Sequence, residues 1–173
     1  YSLNNIADEL NLLNRFVDAV AVWDTVVSLE RARTRVDSST AQQESFAISV
    51  RGYAKALAKV DRYPDAMAAY EEALALLKRI EMPRTQSERA SIDTGMAGLL
   101  GNQGQRERAI LTYNDARKLY NQLGLKEDEA DQLDEIGYQT SELGQHRDAI
   151  AIWEDAYALH MAARERGDAG YSQ

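Results

Sequence analysis

Few residues in this chain are of the types that form an ordinary zinc site. It has two histidines, His146 and His160, and no cysteine, so an ordinary zinc site cannot be assembled from neighbouring positions. Asp131, Asp134 and Glu135 form an acidic group of the kind that binds calcium, but the loop pattern of a calcium-binding helix–loop–helix does not accompany them. His146 falls in an expected turn, where a solvated polar residue is the simpler interpretation. The sequence therefore predicts no metal site.

Phosphate binding and nucleophilic catalysis are also poorly supported. Glycines recur every third position, at Gly95, Gly98, Gly101 and Gly104. They are not followed by the Gly-Lys-Ser/Thr ending of a phosphate-binding loop, and they lie within a helical pattern. No serine or threonine has a local base at the spacing that a nucleophile needs. We expect no enzyme activity, no catalytic residue and no cofactor.

Composition limits the class of partner. The chain has 173 residues, 45% of them apolar, and a formal net charge of −8. That negative charge opposes nucleic acid or an anionic bilayer as the main partner. No run of about 18 apolar residues occurs, so no membrane span is predicted. The absence of cysteine is compatible with a reducing compartment, and we expect a cytoplasmic protein.

A repeated phrase defines the elements that would position any functional residue. A small residue is followed four positions later by an aromatic residue and then, three positions on, by another small or β-branched residue. The copies are Ala19–Trp23–Val26, Ala66–Tyr70–Ala73, Ala109–Tyr113–Ala116 and Ala149–Trp153–Ala156. A bulky–small pair precedes each copy, at Ile6–Ala7, Tyr53–Ala54, Met96–Ala97 and Ile136–Gly137. Self-similarity of this period is typical of stacked repeats.

Apolar residues recur at helical spacing throughout the chain and predict four helix pairs. The helices are expected near 2–13 and 17–33, 41–60 and 64–80, 86–102 and 106–122, and 127–143 and 147–165. The aromatic residue of each repeated phrase (Trp23, Tyr70, Tyr113 and Trp153) is expected to be buried in an equivalent core position. Base stacking by these rings is the less favoured interpretation.

The stretch 61–74 and its counterparts resemble tetratricopeptide repeats (TPRs), in a long variety of about 40 residues per repeat. No proline ends the second helices, where Arg31, Lys78, Asn121 and Met161 stand instead, so these helices are expected to extend by about a turn. The resemblance implies an all-α, right-handed superhelical solenoid of four helix–turn–helix repeats. It also implies that the first helices line a concave groove.

We expect a single repeat domain over 1–173, with repeats near 1–35, 41–82, 86–124 and 127–166. Residues 167–173 are expected to begin a further repeat, as in an excised stretch of a longer protein. The last helix carries Ile150, Trp153, Tyr157, Leu159 and Met161, more apolar surface than one neighbour covers. Weak end-to-end self-association is therefore a further expectation.

If the resemblance holds, each first helix directs particular residues into the groove, which would bind a protein or peptide. The partner-binding residues are predicted to be Asn4, Asp8, Asn11, Arg51, Lys55, Lys59, Thr94, Gly98, Asn102, Asp131, Asp134 and Tyr138. Arg51, Lys55 and Lys59 lie four apart on one helix face and suit carboxylates of a ligand. The alternative is that this basic face is merely solvated.

Two functions remain open from the sequence. The first is a non-enzymatic protein–protein interaction module or scaffold that binds a peptide or helix of its partner in the groove. The alternative is the sensor or regulatory TPR array of a larger bacterial signalling enzyme or transcriptional regulator, coupled to an ATPase or a protease.

Overall fold

The computed structural model describes residues 2–78, 80 and 82–170, and the side chains of all of these except 83 and 166–170. This part of the chain forms eight α-helices and no strand, which confirms the all-α prediction. The helices are α1 (Leu3–Leu12), α2 (Phe16–Val36), α3 (Thr40–Lys59), α4 (Tyr63–Leu77), α5 (Pro83–Asn102), α6 (Arg106–Leu123), α7 (Lys126–Glu142) and α8 (His146–Gly170).

Helix boundaries follow from local side-chain chemistry. Ser39 caps α3, because its hydroxyl accepts a hydrogen bond from the backbone N–H of Gln42. Pro64 lies in the first turn of α4, where the missing N–H breaks no helical hydrogen bond. Gly124 ends α6 in the left-handed conformation, with φ of 73°. All three boundaries follow the usual preferences of serine, proline and glycine for helix ends.

The four short turns within the helix pairs share one backbone conformation. The residue that opens the turn has positive φ, and the next residue accepts the first backbone hydrogen bond of the second helix. The positive-φ residues are Asn14 (58°), Asp61 (60°), Gly104 (73°) and Gly144 (78°). Asparagine, aspartate and glycine are the residue types that adopt this conformation with least strain.

The expectation of longer second helices is wrong for α4. Helix α2 continues past Arg31 to Val36, but α4 ends at Leu77, before Lys78. Beyond α4, Ile80 is buried at 6% exposure, and the buried Thr85 hydroxyl lies 2.9 Å from the Ile80 carbonyl oxygen and 2.7 Å from that of Met82. Burial of Ile80 and its hydrogen bond with Thr85 thus accompany the early end of α4.

The chain divides into two compact units, unit 1 (Tyr1–Glu88) and unit 2 (Arg89–Gln173), and the division falls within α5. In unit 1, α1 contacts α2, α2 contacts α3, and α3 contacts α4. In unit 2, α6 contacts α7, and α7 contacts α8. Packing is therefore chiefly between helices that follow one another in the sequence.

The aromatic positions of the repeats differ in one respect from the prediction. Trp23, Tyr70 and Tyr113 are at most 3% exposed, as expected, whereas Trp153 is 37% exposed. Trp23 lies between its own helix pair and Gly52 of the next helix, α3, whereas Trp153 lies against Gly137 of its own pair. Equal burial of the four rings was therefore wrong for Trp153, since no described helix covers its outer face.

Other apolar side chains on α8 share this exposure, namely Ile150, Tyr157 and Met161, while Leu159 is half-buried. Residues 171–173, expected to belong to a further repeat, lie outside the described residues, and 167–170 continue α8. Among the described helices, none combines the length and apolarity that crossing a bilayer requires.

Candidate functional site

A cavity in unit 1 brings together four of the predicted groove residues. It has a volume of about 380 Å³ and opens between residues of α1 and α3. Asp8 and Asn11 of α1 line it together with Lys55 and Lys59 of α3. The helical spacing of each pair places its two side chains on one face, so four polar groups are directed into the same space.

The charges in this cavity are available to a ligand. Lys55 and Lys59 are exposed, and neither forms an ion pair with any described residue. Asp8 on the facing helix is likewise exposed. The side-chain Oδ1 of Asn11 is buried and has no hydrogen-bond partner among the described groups, which is unfavourable for a buried acceptor. A ligand that supplies an N–H donor after a rotation of this amide would satisfy it.

The rest of the cavity lining is apolar and was not part of the predicted site. Leu12 and Phe16 contribute to the wall, and Gly52 contributes backbone. Leu12 is 76% exposed, so apolar surface lies in solvent beside the two lysines. Because Leu12 and Phe16 flank the turn after α1, helical spacing alone did not indicate them. An apolar pair on either side of a short turn is the signal that could have done so.

Arg51, the third residue of the predicted basic stripe, is engaged elsewhere. Its Nε lies 3.0 Å from Oε2 of Glu88, and the two side chains are 20% and 27% exposed. It does not line the cavity that contains Lys55 and Lys59. The structure therefore divides the stripe into a partly buried ion pair and two lysines without an ion-pair partner.

Asn4 lines a different and larger cavity, of about 760 Å³, near the end of α2. Several polar groups of that cavity are already paired: Glu30 forms an ion pair with Arg33 and accepts a hydrogen bond from Gln42. We regard it as the weaker candidate for ligand recognition, because a ligand would have to displace these contacts.

Some of the predicted groove residues on α5 contact other residues of unit 2 instead of facing solvent. The Thr94 hydroxyl lies 2.8 Å from Oε1 of Gln132 on α7. A Cβ placed on Gly98 would lie 3.5 Å from the Tyr113 hydroxyl, an ordinary contact distance. Asn102 is exposed at the end of α5. Of these residues, Asn102 is the most open to solvent.

On α7, two of the predicted residues contact a histidine that the sequence analysis left without a role. Nε2 of His160 lies 3.0 Å from Oδ2 of Asp134 and 3.9 Å from Oδ1 of Asp131. Its Nδ1 lies 3.2 Å from Oε1 of Glu127. The hydrogen bond with Asp134, aided by Glu127, raises the pKa of His160. Tyr138, further along α7, is 52% exposed.

The contact between α7 and α8 could have been found from the sequence. Two antiparallel helices joined by a short turn bring together residues at similar distances from that turn. Glu127 and His160 lie almost equally far before and after Gly144, so they were candidates for a contact. Several other residue pairs on α7 and α8 are also about equally far from Gly144. The register of the two helices, which side-chain packing sets, decides which of these pairs are in contact.

No family model matches the sequence, and no curated protein matches it. Several solved structures are similar to this chain. Aspartyl phosphate phosphatase F from Bacillus subtilis superposes with a TM-score of 0.79 at 12% identity, over 93% of this chain and 40% of that one. The Rap conjugation gene regulator of plasmid pLS20, solved in complex with the Phr* peptide, gives a TM-score of 0.74 at 15% identity, over 88% of this chain and 40% of that one.

A shorter relative in structure is a kinesin light chain-type protein of Podosopora anserina with nearly identical TPR-like repeats. It gives a TM-score of 0.54 at 14% identity, over 94% of this chain and 95% of that one. This chain thus spans less than half of the two longer proteins. At these identities the likeness establishes the fold alone, and the chain is an all-helical protein of the TPR-like repeat fold.

Proposed function

We propose that this chain is a non-enzymatic interaction module that binds a peptide segment of a partner in the cavity between α1 and α3. The observation that carries the proposal is the presence of Lys55 and Lys59, without ion-pair partners, beside the exposed apolar side chain of Leu12. The size of the cavity, about 380 Å³, suits a few side chains of a ligand. Peptide binding by the Rap regulator, a protein of the same fold, supports a peptide as the ligand class.

The lining predicts the chemistry of the peptide. Two ammonium groups one helical turn apart attract carboxylates, and the apolar lining favours a neighbouring aliphatic or aromatic side chain. Asn11 adds an acceptor that suits a backbone N–H. The expected ligand is therefore a short segment with at least one acidic residue next to a large apolar one. The groove residues of unit 2 remain a separate prediction.

A second candidate is the regulatory array of a larger signalling protein. It is favoured by one observation: the chain covers 40% of the lengths of the Rap regulator and of phosphatase F. In that case the peptide would act as a signal or belong to another part of the same polypeptide. The cavity and its expected ligand chemistry are common to both candidates.

The test is selection of peptides from a display library on the complete chain, followed by fluorescence-polarisation titration. The double reversal Lys55→Glu/Lys59→Glu should weaken binding of the selected acidic peptides by at least about tenfold, equivalent to about 1.4 kcal/mol. Its melting temperature should change little, because exposed charges contribute little to stability. Arg51 is left unchanged, since its reversal would bring two carboxylates together at Glu88.

Lys78→Glu is the matched control, because Lys78 is also an exposed lysine of unit 1 but does not line the cavity. It should bind the selected peptides as the wild type does. Lys78→Glu changes the net charge by half as much as the double reversal, so a loss of binding free energy about half as large in Lys78→Glu would show that net charge alone explains the effect. Unchanged affinity in the double reversal would exclude this cavity as the binding site.

A further inference from the structure

A cluster of one imidazole and three carboxylates joins α7 to α8 in unit 2, away from the cavity proposed above. Asp131 and Asp134 are both directed at Nε2 of His160, at 3.9 Å and 3.0 Å. Glu127 lies at the other ring nitrogen, at 3.2 Å. Within the described residues, this is the group whose ligand atoms are spaced to hold a metal ion: one atom each from Asp131, Asp134 and His160, all within 4.8 Å of one another.

We propose that Asp131, Asp134 and His160 form a site for a divalent transition-metal ion of the Zn²⁺ class. Zinc bonds to imidazole nitrogen and carboxylate oxygen are about 2.0–2.2 Å long, so ligands of one ion lie roughly 3–3.5 Å apart. The distances from Nε2 of His160 to the two carboxylates, 3.0 Å and 3.9 Å, are at the lower end of this range and slightly above it. The carboxylates are 62% and 50% exposed, so side-chain rotation alone can bring them onto an ion without moving either helix.

The position of Glu127 is the one expected of a carboxylate beside a metal-binding histidine. A metal-binding histidine usually donates its second ring N–H to a carboxylate, which fixes the tautomer and the ring orientation. Glu127 is placed to accept this bond from Nδ1. When a metal ion displaces the proton of Nε2, the lone pair of this nitrogen is directed at the side where Asp131 and Asp134 lie. Glu127 is therefore a positioning residue and not a ligand.

The cluster is also not a general property of the repeat. In α3 the positions that correspond to Glu127 and Asp134 hold Glu44 and Arg51, and both form ion pairs with residues at the start of α5. In α7 these positions are both acidic, and they face an imidazole. The substitution of a base by an acid at this face concentrates negative charge where a cation would neutralise it.

The donor set selects the class of ion. An imidazole with carboxylates suits Zn²⁺ and its neighbours in the transition series, whereas Ca²⁺ and Mg²⁺ prefer oxygen ligands alone. Three protein ligands leave at least one coordination position open. Because the carboxylates are exposed, that position is accessible to water or to a side chain of a bound partner. The site is thus able to bridge this surface to another carboxylate or imidazole.

Isothermal titration of the complete metal-free chain with ZnCl₂ tests the proposal. The wild type should bind one Zn²⁺ with an affinity that millimolar Mg²⁺ or Ca²⁺ does not reduce, and Zn²⁺ should raise its melting temperature. His160→Asn and Asp131→Asn/Asp134→Asn should each lose this binding. Glu127→Gln should weaken it by roughly 10–100-fold, as expected for a residue that positions a ligand.

Two matched controls should bind Zn²⁺ as the wild type does. His146→Asn removes the other histidine, and Asp155→Asn removes an exposed carboxylate on α8 outside the cluster. Circular dichroism of each metal-free variant establishes that it is folded, and the paired aspartate variant tests the site independently if His160→Asn is not. Absence of saturable binding by the wild type, or wild-type affinity in a folded His160→Asn variant, would overturn the proposal.

Discussion

Gly52 offers the sharpest test of how the repeats pack in unit 1. A methyl group built at this position would lie 2.5 Å from two carbons of the Trp23 ring and 2.9 Å from a third. Trp23 is 3% exposed and packs against buried residues such as Ala7 and Ala56, so its ring can shift only by displacing them. In Gly52→Ala, helix propensity favours the variant by about 1 kcal/mol, whereas overpacking of a rigid ring typically costs about 1–3 kcal/mol. The close contacts place the cost of overpacking at the upper end of this range. We therefore expect the free energy of unfolding to fall by about 1–2 kcal/mol in total.

Gly98→Ala is the matched control, because the same substitution in α5 meets only the Tyr113 hydroxyl at 3.5 Å. Here the gain in helix propensity should dominate and stabilise unit 2 by about 0.5–1 kcal/mol. Native-state hydrogen exchange is the appropriate assay, since two compact units need not unfold together. Faster exchange in α2 and α3 of Gly52→Ala is expected. If both variants prove equally stabilised, the close approach of α3 to Trp23 is refuted.

Further predictions concern aromatic residues. Trp23→Ala should destabilise by about 3–5 kcal/mol, and Trp153→Ala by a smaller amount, about 2–3 kcal/mol, because its ring is 37% exposed; equal losses by urea unfolding would contradict the unequal burial. Burial raises the pKa of Tyr70 from 10.0 to about 12. The free energy of unfolding should therefore fall by about 2–3 kcal/mol as the pH rises from 10 to 12, because this tyrosine ionises first in the unfolded chain. Tyr70→Phe should lack this component of alkaline destabilisation. The exposed apolar face of α8 should give weak, concentration-dependent association in sedimentation, and Tyr157→Glu should reduce it.

The fold could be predicted because several positions repeat together. The small–aromatic–small phrase fixes which face of each second helix is buried, and the turns carry residues that tolerate positive φ, such as Asn14 and Gly104. The end of α4 could not be predicted this way. It depends on Ile80 and Thr85 packing into the connection, which is a tertiary effect without a local signal.

The candidate site could be predicted only in part. Helical spacing correctly placed Lys55 and Lys59 on one face, but it could not show that Arg51 is paired with Glu88 on another helix. Contacts of this kind depend on the register between helices, which sequence spacing within one helix does not contain. For the same reason, the contact of His160 with the acidic side chains of α7 could not be predicted from the spacing within α8.

The predominance of contacts between helices that are adjacent in the sequence has a consequence for how quickly the chain folds. Contacts such as those of α1 with α2 and of α7 with α8 close short loops, so little chain entropy is lost before they form. Proteins dominated by such local contacts fold in microseconds to milliseconds. A single helix pair can therefore form and dissolve without waiting for distant segments. Refolding after denaturant dilution should accordingly begin within one unit and spread from pair to pair.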